Sequence, residues 1–233
     1  FGQYVTQEDP MVPPSGILYV GGALKSAGYQ VNVYHISYRQ INETALLVSK
    51  NQPLFIGVSV FTGLPTSLSA EFSKKVKEKN KNLTIVWGGI HPSLIPKQCL
   101  KQNYIDIVVI GEGEETALEL ADSLVEGVSF NGIKGIGYKK FDNIIINESR
   151  PLIEDLDRFK MDWSLVEPDR YIQRIVAEKQ LKHFKKVDDS QPKFEPLAVG
   201  DNVRIAIDTV NPTIGDKYEI KWTPIVYQVQ KAL

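Results

Sequence analysis

Apolar and polar positions alternate in blocks over the first 150 residues, and the period of the blocks switches in a regular order. Residues 15–27 carry Ile17, Leu18, Val20, Gly21, Leu24 and Ala27 at helical spacing behind Pro13-Pro14-Ser15, which predicts a helix. Gly28 stops it, because glycine takes a left-handed conformation without a Cβ penalty. Residues 31–36 alternate as a short strand, and residues 41–50 return to helical spacing. Residues 54–60 are almost wholly apolar, the pattern of a central parallel strand covered on both faces. A helix from Pro65 to about Lys79 follows. Its lysine-rich end (Lys74, Lys75, Lys77, Lys79, Lys81) reads as a solvated face that complements the helix dipole.

The unit recurs twice. Residues 83–87 predict a strand and 92–102 a helix; residues 105–110 predict a strand, followed by a helix to about Glu126. Alternating strands and helices with short connections define an α/β fold with a doubly wound parallel sheet. Residues 135–138 and 144–146 read as a small terminal hairpin around Asp142-Asn143. After Pro151 the pattern loosens into a linker. Residues 174–187 form a basic amphipathic segment, 188–196 a second linker, and 199–207 and 218–229 short strands of a small all-β module. The expected division is therefore 1–150, a linker at 151–178, and 179–233.

Composition narrows the function. The 233 residues hold 27 Lys+Arg against 28 Asp+Glu, so no bulk charge draws the chain to nucleic acid or membrane. Apolar runs fall far short of the roughly 20 residues of a membrane span, so no membrane contact is expected. The single cysteine, Cys99, excludes an internal disulfide and an iron–sulfur cluster held by these residues alone. No signal-peptide pattern is present, and a cytoplasmic location is expected. The chain opens on Phe1 and a polar stretch, where a sheet domain normally starts with a buried strand. The expectation is a fragment or chimera whose first strand is missing or degraded.

Candidate chemistry gathers in three turns. In an open parallel sheet, ligands bind beyond the carboxyl ends of the strands. Residues 59–63, 88–92 and 111–114 fall there, and each turn is glycine-containing and opens a helix. The competing reading is structural: Gly88-Gly89 as a tight turn, and Glu112, Glu114 and Glu115 as charges complementing a helix N-terminus. There is no G-x-x-x-x-G-K-[ST] loop and no G-x-G-x-x-G after a first strand, which argues against nucleoside triphosphatases and ordinary dinucleotide enzymes. His35, His91 and His183 have no metal-ligand spacing, so no metal ligand is assigned. Ser59, Thr62 and Ser93 have no evident partner base, Asp106 reads as structural, and no catalytic residue is assigned. Among these residues, His91 is the histidine placed to touch a ligand.

The order of these landmarks carries a resemblance. The runs VPPSGILYVGGALKSAGYQVNVYHI, FIGVSVFTG, VWGGIHPSLIPKQCL and DIVVIGEGEETALELADSL, followed by IKGIGYKK, NESRPLIEDLDRF and DWSLVEPDRY, resemble the cobalamin-binding domain of radical SAM enzymes over about residues 13–171. The resemblance implies a Rossmann-like (flavodoxin-like) domain with cobalamin as cofactor. By position, Ser59, Val60, Thr62 and Gly63 would line the corrin or its nucleotide tail. Gly88, Gly89, His91 and Pro92 would line the tail pocket, and Gly111, Glu112, Gly113 and Glu114 would contact the tail. The D-x-H-x-x-G motif that supplies a cobalt ligand in some cobalamin proteins is absent. So is the C-x3-C-x2-C motif of the catalytic domain, so a radical SAM domain or subunit acting in trans is the expected partner. The chain alone is not expected to be catalytic. The sheet pattern itself leaves open a flavodoxin-like domain for another nucleotide-tailed ligand.

The tail has a second resemblance. KQLKHFKKVDDSQPKFEPLAVGDNVRIAI and YEIKWTPIVYQVQKAL resemble the SH3-like end of retroelement integrases, through Gly200, Asp201, Val203, Arg204, Trp222, Thr223, Val226 and Tyr227. It implies weak nucleic-acid binding through Lys182, Lys185, Lys186, Arg204 and Trp222.

Overall fold

The structure is a computed structural model that describes residues 13–141, 143–155, 157–169, 171–172 and 225–231. One sheet organises it, in the order β1-β7-β2-β3-β4-β5-β6. The strands are β1 (Tyr29–His35), β2 (Phe55–Ser59), β3 (Ile85–Gly88), β4 (Ile107–Val109), β5 (Ile136–Lys140), β6 (Asn143–Ile146) and β7 (Ile225–Lys231). The helices are α1 (Ser15–Ser26), α2 (Ile41–Lys50), α3 (Leu64–Lys79), α4 (Ile90–Leu94), α5 (Pro96–Leu100) and α6 (Glu114–Glu126).

β2, β3 and β4 run parallel, as their apolar runs predict, and form the α/β centre. Consecutive residues on them point to opposite faces, and both faces are buried. Phe55, Val86, Ile107 and Val109 join a core containing Ile17 and Leu24 of α1 and Ala117 and Leu120 of α6. Ile56, Val58, Ile85, Trp87 and Val108 join the opposite core, with Val48 of α2, Phe72 and Val76 of α3, and Leu100 of α5. Trp87 is buried, so its indole N–H needs a partner, and it donates to Ser73 Oγ at 3.0 Å.

Three features depart from the expected parallel sheet. The hairpin β5–β6 is a continuation of the same sheet, with β5 antiparallel to β4. The helix expected over 92–102 is two short helices, because Pro96 cannot donate a backbone hydrogen bond and Ile95 leaves helical geometry (φ −134, ψ 53). Between β1 and β2 lies β7, antiparallel to both. It falls within the segment expected to form a strand of a separate SH3-like module, yet among the described residues it pairs only into the main sheet. The rest of that segment, with Lys182, Lys185, Lys186, Arg204 and Trp222, lies outside the described residues, as do residues 1–12. The resemblance to integrases therefore finds no support here.

The lysine run at the end of α3 is not wholly a solvated face. Lys77 pairs with Asp106 at 2.7 Å and also donates to the carbonyl of Leu83. Asp106 Oδ2 accepts from the Ile85 amide at 2.7 Å as well. This carboxylate ties β3 to the approach of β4, the structural role expected of it. Among the described residues, no helix is long and apolar enough to cross a membrane.

Candidate functional site

The parallel direction of β2, β3 and β4 brings their carboxyl ends, and so the three turns, to one edge. Backbone bonds lock the first two together: Val60 N–H donates to Gly88 O at 2.8 Å, and His91 N–H donates to Val60 O at 3.1 Å. Ser93 joins the second turn to the third. Its hydroxyl donates to Gly89 O at 2.8 Å and accepts from the Gly111 amide at 3.0 Å. The sequence reading sought a catalytic base for Ser93 and missed this bridging role, for which no local pattern gives a signal.

The positions divide by exposure. Thr62, Gly63 and Gly111 are exposed, while Ser59, Gly88, Gly89, His91, Glu112, Gly113 and Glu114 are half-buried. The side chains of Val60 and Pro92 are buried, and both backbone polar groups of Val60 serve the turn–turn bonds. These two residues frame the edge. Gly89 has φ 95 and ψ −169, a region essentially restricted to glycine. A Cβ there would lie 3.0 Å from Val60 O and 3.2 Å from Val60 N. The close approach of two turns requires glycine at this point.

Two side chains give the edge its electrostatics. Thr62 Oγ1 lies 3.4 Å from His91 Nδ1, and burial pushes the His91 pKa down, which favours the neutral ring. Glu114 Oε2 is buried without a hydrogen-bond partner among the described residues. Burial pushes its carboxyl above the usual carboxylate range, against the smaller stabilising effect of its own amide and that of Gly113. A raised carboxylate pKa means that ionised Glu114 opposes folding at neutral pH, and the penalty disappears as pH falls below the unfolded value. Glu114→Gln is thus expected to raise the melting temperature by roughly 1–2 °C at pH 7 and to leave it unchanged near pH 4, by thermal melts at both values.

Glu112 and Glu115 do more than complement the helix dipole. Glu112 Oε2 accepts from the Ile153 amide at 2.7 Å, and Glu115 pairs with Arg150 at 2.9 Å and with Arg158. They anchor a strap, residues 148–155 and 157–166, that leaves β6 and crosses α1. There the Asp162 amide donates to Leu18 O, and Lys25 pairs with Asp162 at 3.0 Å. Beyond the strap, Tyr171 OH lies 3.0 Å from His35 Nδ1, and both residues are buried. His35 is therefore a packed residue at the carboxyl end of β1. A groove of about 370 Å³ beside β1, lined by Lys25, Asn32 and Leu165 among others, contains no residue of the three turns. Among the described residues, no group of three metal-ligating side chains comes together.

A sheet whose strands run mostly in one direction, with three cross-bonded glycine turns at its carboxyl edge, defines a Rossmann-like α/β domain. Residues 8–121 match the B12 binding domain family. Over 172 residues it is 32% identical to an anaerobic magnesium-protoporphyrin IX monomethyl ester cyclase of Rubrivivax gelatinosus, covering 69% of this chain and 30% of that protein. The Synechocystis cyclase of the same name is 31% identical over 165 residues, covering 69% of this chain and 33% of that one. This chain thus spans about a third of the length of these relatives. The fold is also that of the radical S-adenosylmethionine methyltransferase TsrM from Kitasatospora setae, solved with cobalamin and a 4Fe-4S cluster. The TM-score is 0.54 at 19% identity, covering 66% of this chain and 29% of that one.

The residues at the edge suit a nucleotide-tailed corrin. The glycines leave backbone open to close approach, the neutral imidazole of His91 can donate or accept, and the orphaned Glu114 Oε2 is a polar atom in want of a partner.

Proposed function

We propose that this chain binds cobalamin across the carboxyl edge of β2, β3 and β4 and presents it to a radical SAM catalytic unit. The observation that carries the reading is the cross-bonding of three turns, through Val60, Gly88, His91, Ser93 and Gly111, into one rigid edge. In this reading Ser59, Thr62, Gly63, Gly88 and Gly89 hold the ligand from the first two turns, with His91 donating or accepting beside them. Gly111, Gly113 and Glu114 close the third side. Glu112 keeps the strap in place, because its carboxylate already accepts from Ile153. Val60 and Pro92 act through packing. Bound cobalamin supplies a cobalt centre that carries alkyl groups or electrons, chemistry that belongs to the cofactor.

The cysteine count and the relatives support that partner. Cys99 is the single cysteine of the 233 residues and it is buried, so a cluster held by three cysteines needs thiolates from outside these residues. The sequence relatives named above are two cyclases, which supports a role in that reaction class.

Cobinamide, which keeps the corrin and lacks the nucleotide tail, separates this reading from a general affinity for corrins. Equilibrium titrations are expected to give cobalamin at least about tenfold tighter binding than cobinamide. Equal affinity for the two would remove the tail from the assignment of the second and third turns.

A further inference from the structure

The structure leaves a position open between two strands that the chain does not fill locally. β1 and β2 are consecutive in sequence and joined through α2, yet they do not pair with each other. Neighbouring strands lie roughly 4.8 Å apart, so β1 and β2 flank a slot of roughly 9.6 Å. β7 fills it. All seven of its residues are in register with β1, from Tyr29↔Lys231 to His35↔Ile225. Five are also in register with β2, from Phe55↔Val229 to Ser59↔Ile225. The occupant comes from far along the chain, since residues 173–224 lie between Ile172 and β7.

Two properties mark the slot as an acceptor. Its walls are set by elements other than β7: α1 and α6 pack on one face of the sheet, α2 and α3 on the other. Its rims sit deep in the core, where Phe55, Ile56 and Val58 are fully buried. Backbone groups left unpaired at that depth are costly, so an empty slot disfavours the whole sheet. Occupation also reaches the ligand edge. Ile225 is in register with Ser59, the first residue of the first turn, and with His35, the residue bonded to Tyr171.

We infer that the gap between β1 and β2 is a β-strand-binding site, and that Ile225–Lys231 is its detachable occupant, supplied in cis. Insertion completes the sheet by main-chain hydrogen bonds on both sides, as in strand-addition complexes. The inference rests on pairing alone and stands or falls without cobalamin.

Gln228 is in register with Asn32 on one side and Ile56 on the other. In a strand paired on both sides, each residue's N–H serves one ladder or the other, so proline there deletes a bond. In the full-length apo chain, Gln228→Pro is expected to lower the melting temperature by roughly 10 °C, and Gln228→Ala, which keeps the N–H, by less than roughly 3 °C. In a second measurement, a protease site placed within 173–224 is cut in the full chain. A fluorescent peptide of residues 223–233 is then offered in excess. Uptake of the label, and no uptake of the same peptide carrying Gln228→Pro, is the expected result. Gln228→Pro melting like the wild type, or a cut chain that takes up neither peptide, would overturn the inference.

Discussion

Gly89→Ala is expected to lower the stability of the domain by about 3 kcal/mol and to cut cobalamin retention below a tenth of the wild-type value. Two costs add. The backbone at φ 95, ψ −169 is one that a residue with a Cβ does not adopt without strain. The new Cβ would also press on Val60 O at 3.0 Å and Val60 N at 3.2 Å. Neither atom is free to move, because Val60 N–H is bonded to Gly88 O and Val60 O accepts from the His91 amide. Relief of the clash therefore parts the first turn from the second. Two neighbouring glycines grade the effect. Gly111 has φ 81 but open space where a Cβ would lie, so Gly111→Ala carries backbone strain alone. At Gly88 a Cβ would meet nothing closer than Val109 at 3.8 Å, an ordinary contact. Urea melts with cobalamin retention are expected to rank the damage Gly89 > Gly111 > Gly88. Equal damage at Gly88 and Gly89 would show that the turn–turn approach is not what matters.

Arg150→Ala is the second large effect, about 2–3 kcal/mol in urea melts. The Arg150 side chain is 10% exposed and ties the start of the strap to α6. Its guanidinium pairs with Glu115 at 2.9 Å and Glu119 at 2.7 Å, and donates to Thr116 Oγ1 at 2.8 Å. Glu115 keeps Arg158 as a partner, which limits the loss. The planar fork cannot be replaced by an ammonium, so Arg150→Lys is expected to recover less than half of it. Because Ile153 donates to Glu112, release of the strap also loosens the third turn. Limited proteolysis is expected to cut the variant within 151–166 faster than the wild type. Unchanged cleavage would mean that the strap is held elsewhere, by the bonds of Asp162 to Leu18 and Lys25.

The parts that were legible in the sequence are those whose information is local. The apolar runs at 54–60, 83–87 and 105–110 announced the three central parallel strands, because burial on both faces leaves few polar positions. The position of the glycine turns at the carboxyl edge was legible too, since strand ends and helix starts are marked by neighbours in the chain. The pairing of β7 was not legible. The alternation in Ile225–Lys231 suits an edge strand, a small barrel or a sheet interior alike, and its partners lie almost the whole chain away. Long-range side-chain ties were hidden in a similar way. Lys77 looks like its neighbours until Asp106 is placed beside it, and Arg150 looks like a loop residue until Glu115 and Glu119 face it. Within the site, exposure separated residues that position alone had grouped: Val60 and Pro92 are buried, whereas Thr62 and Gly63 are exposed.

Under the proposal, the three-turn edge holds one cobalamin. Equilibrium dialysis of the full chain against hydroxocobalamin, read by visible absorbance inside and outside the membrane, tests it directly. Saturation is expected at one corrin per folded chain, with Gly89→Ala retaining less than a tenth of that at the same ligand concentration. Folded wild-type protein that accumulates no corrin above the free concentration would contradict it.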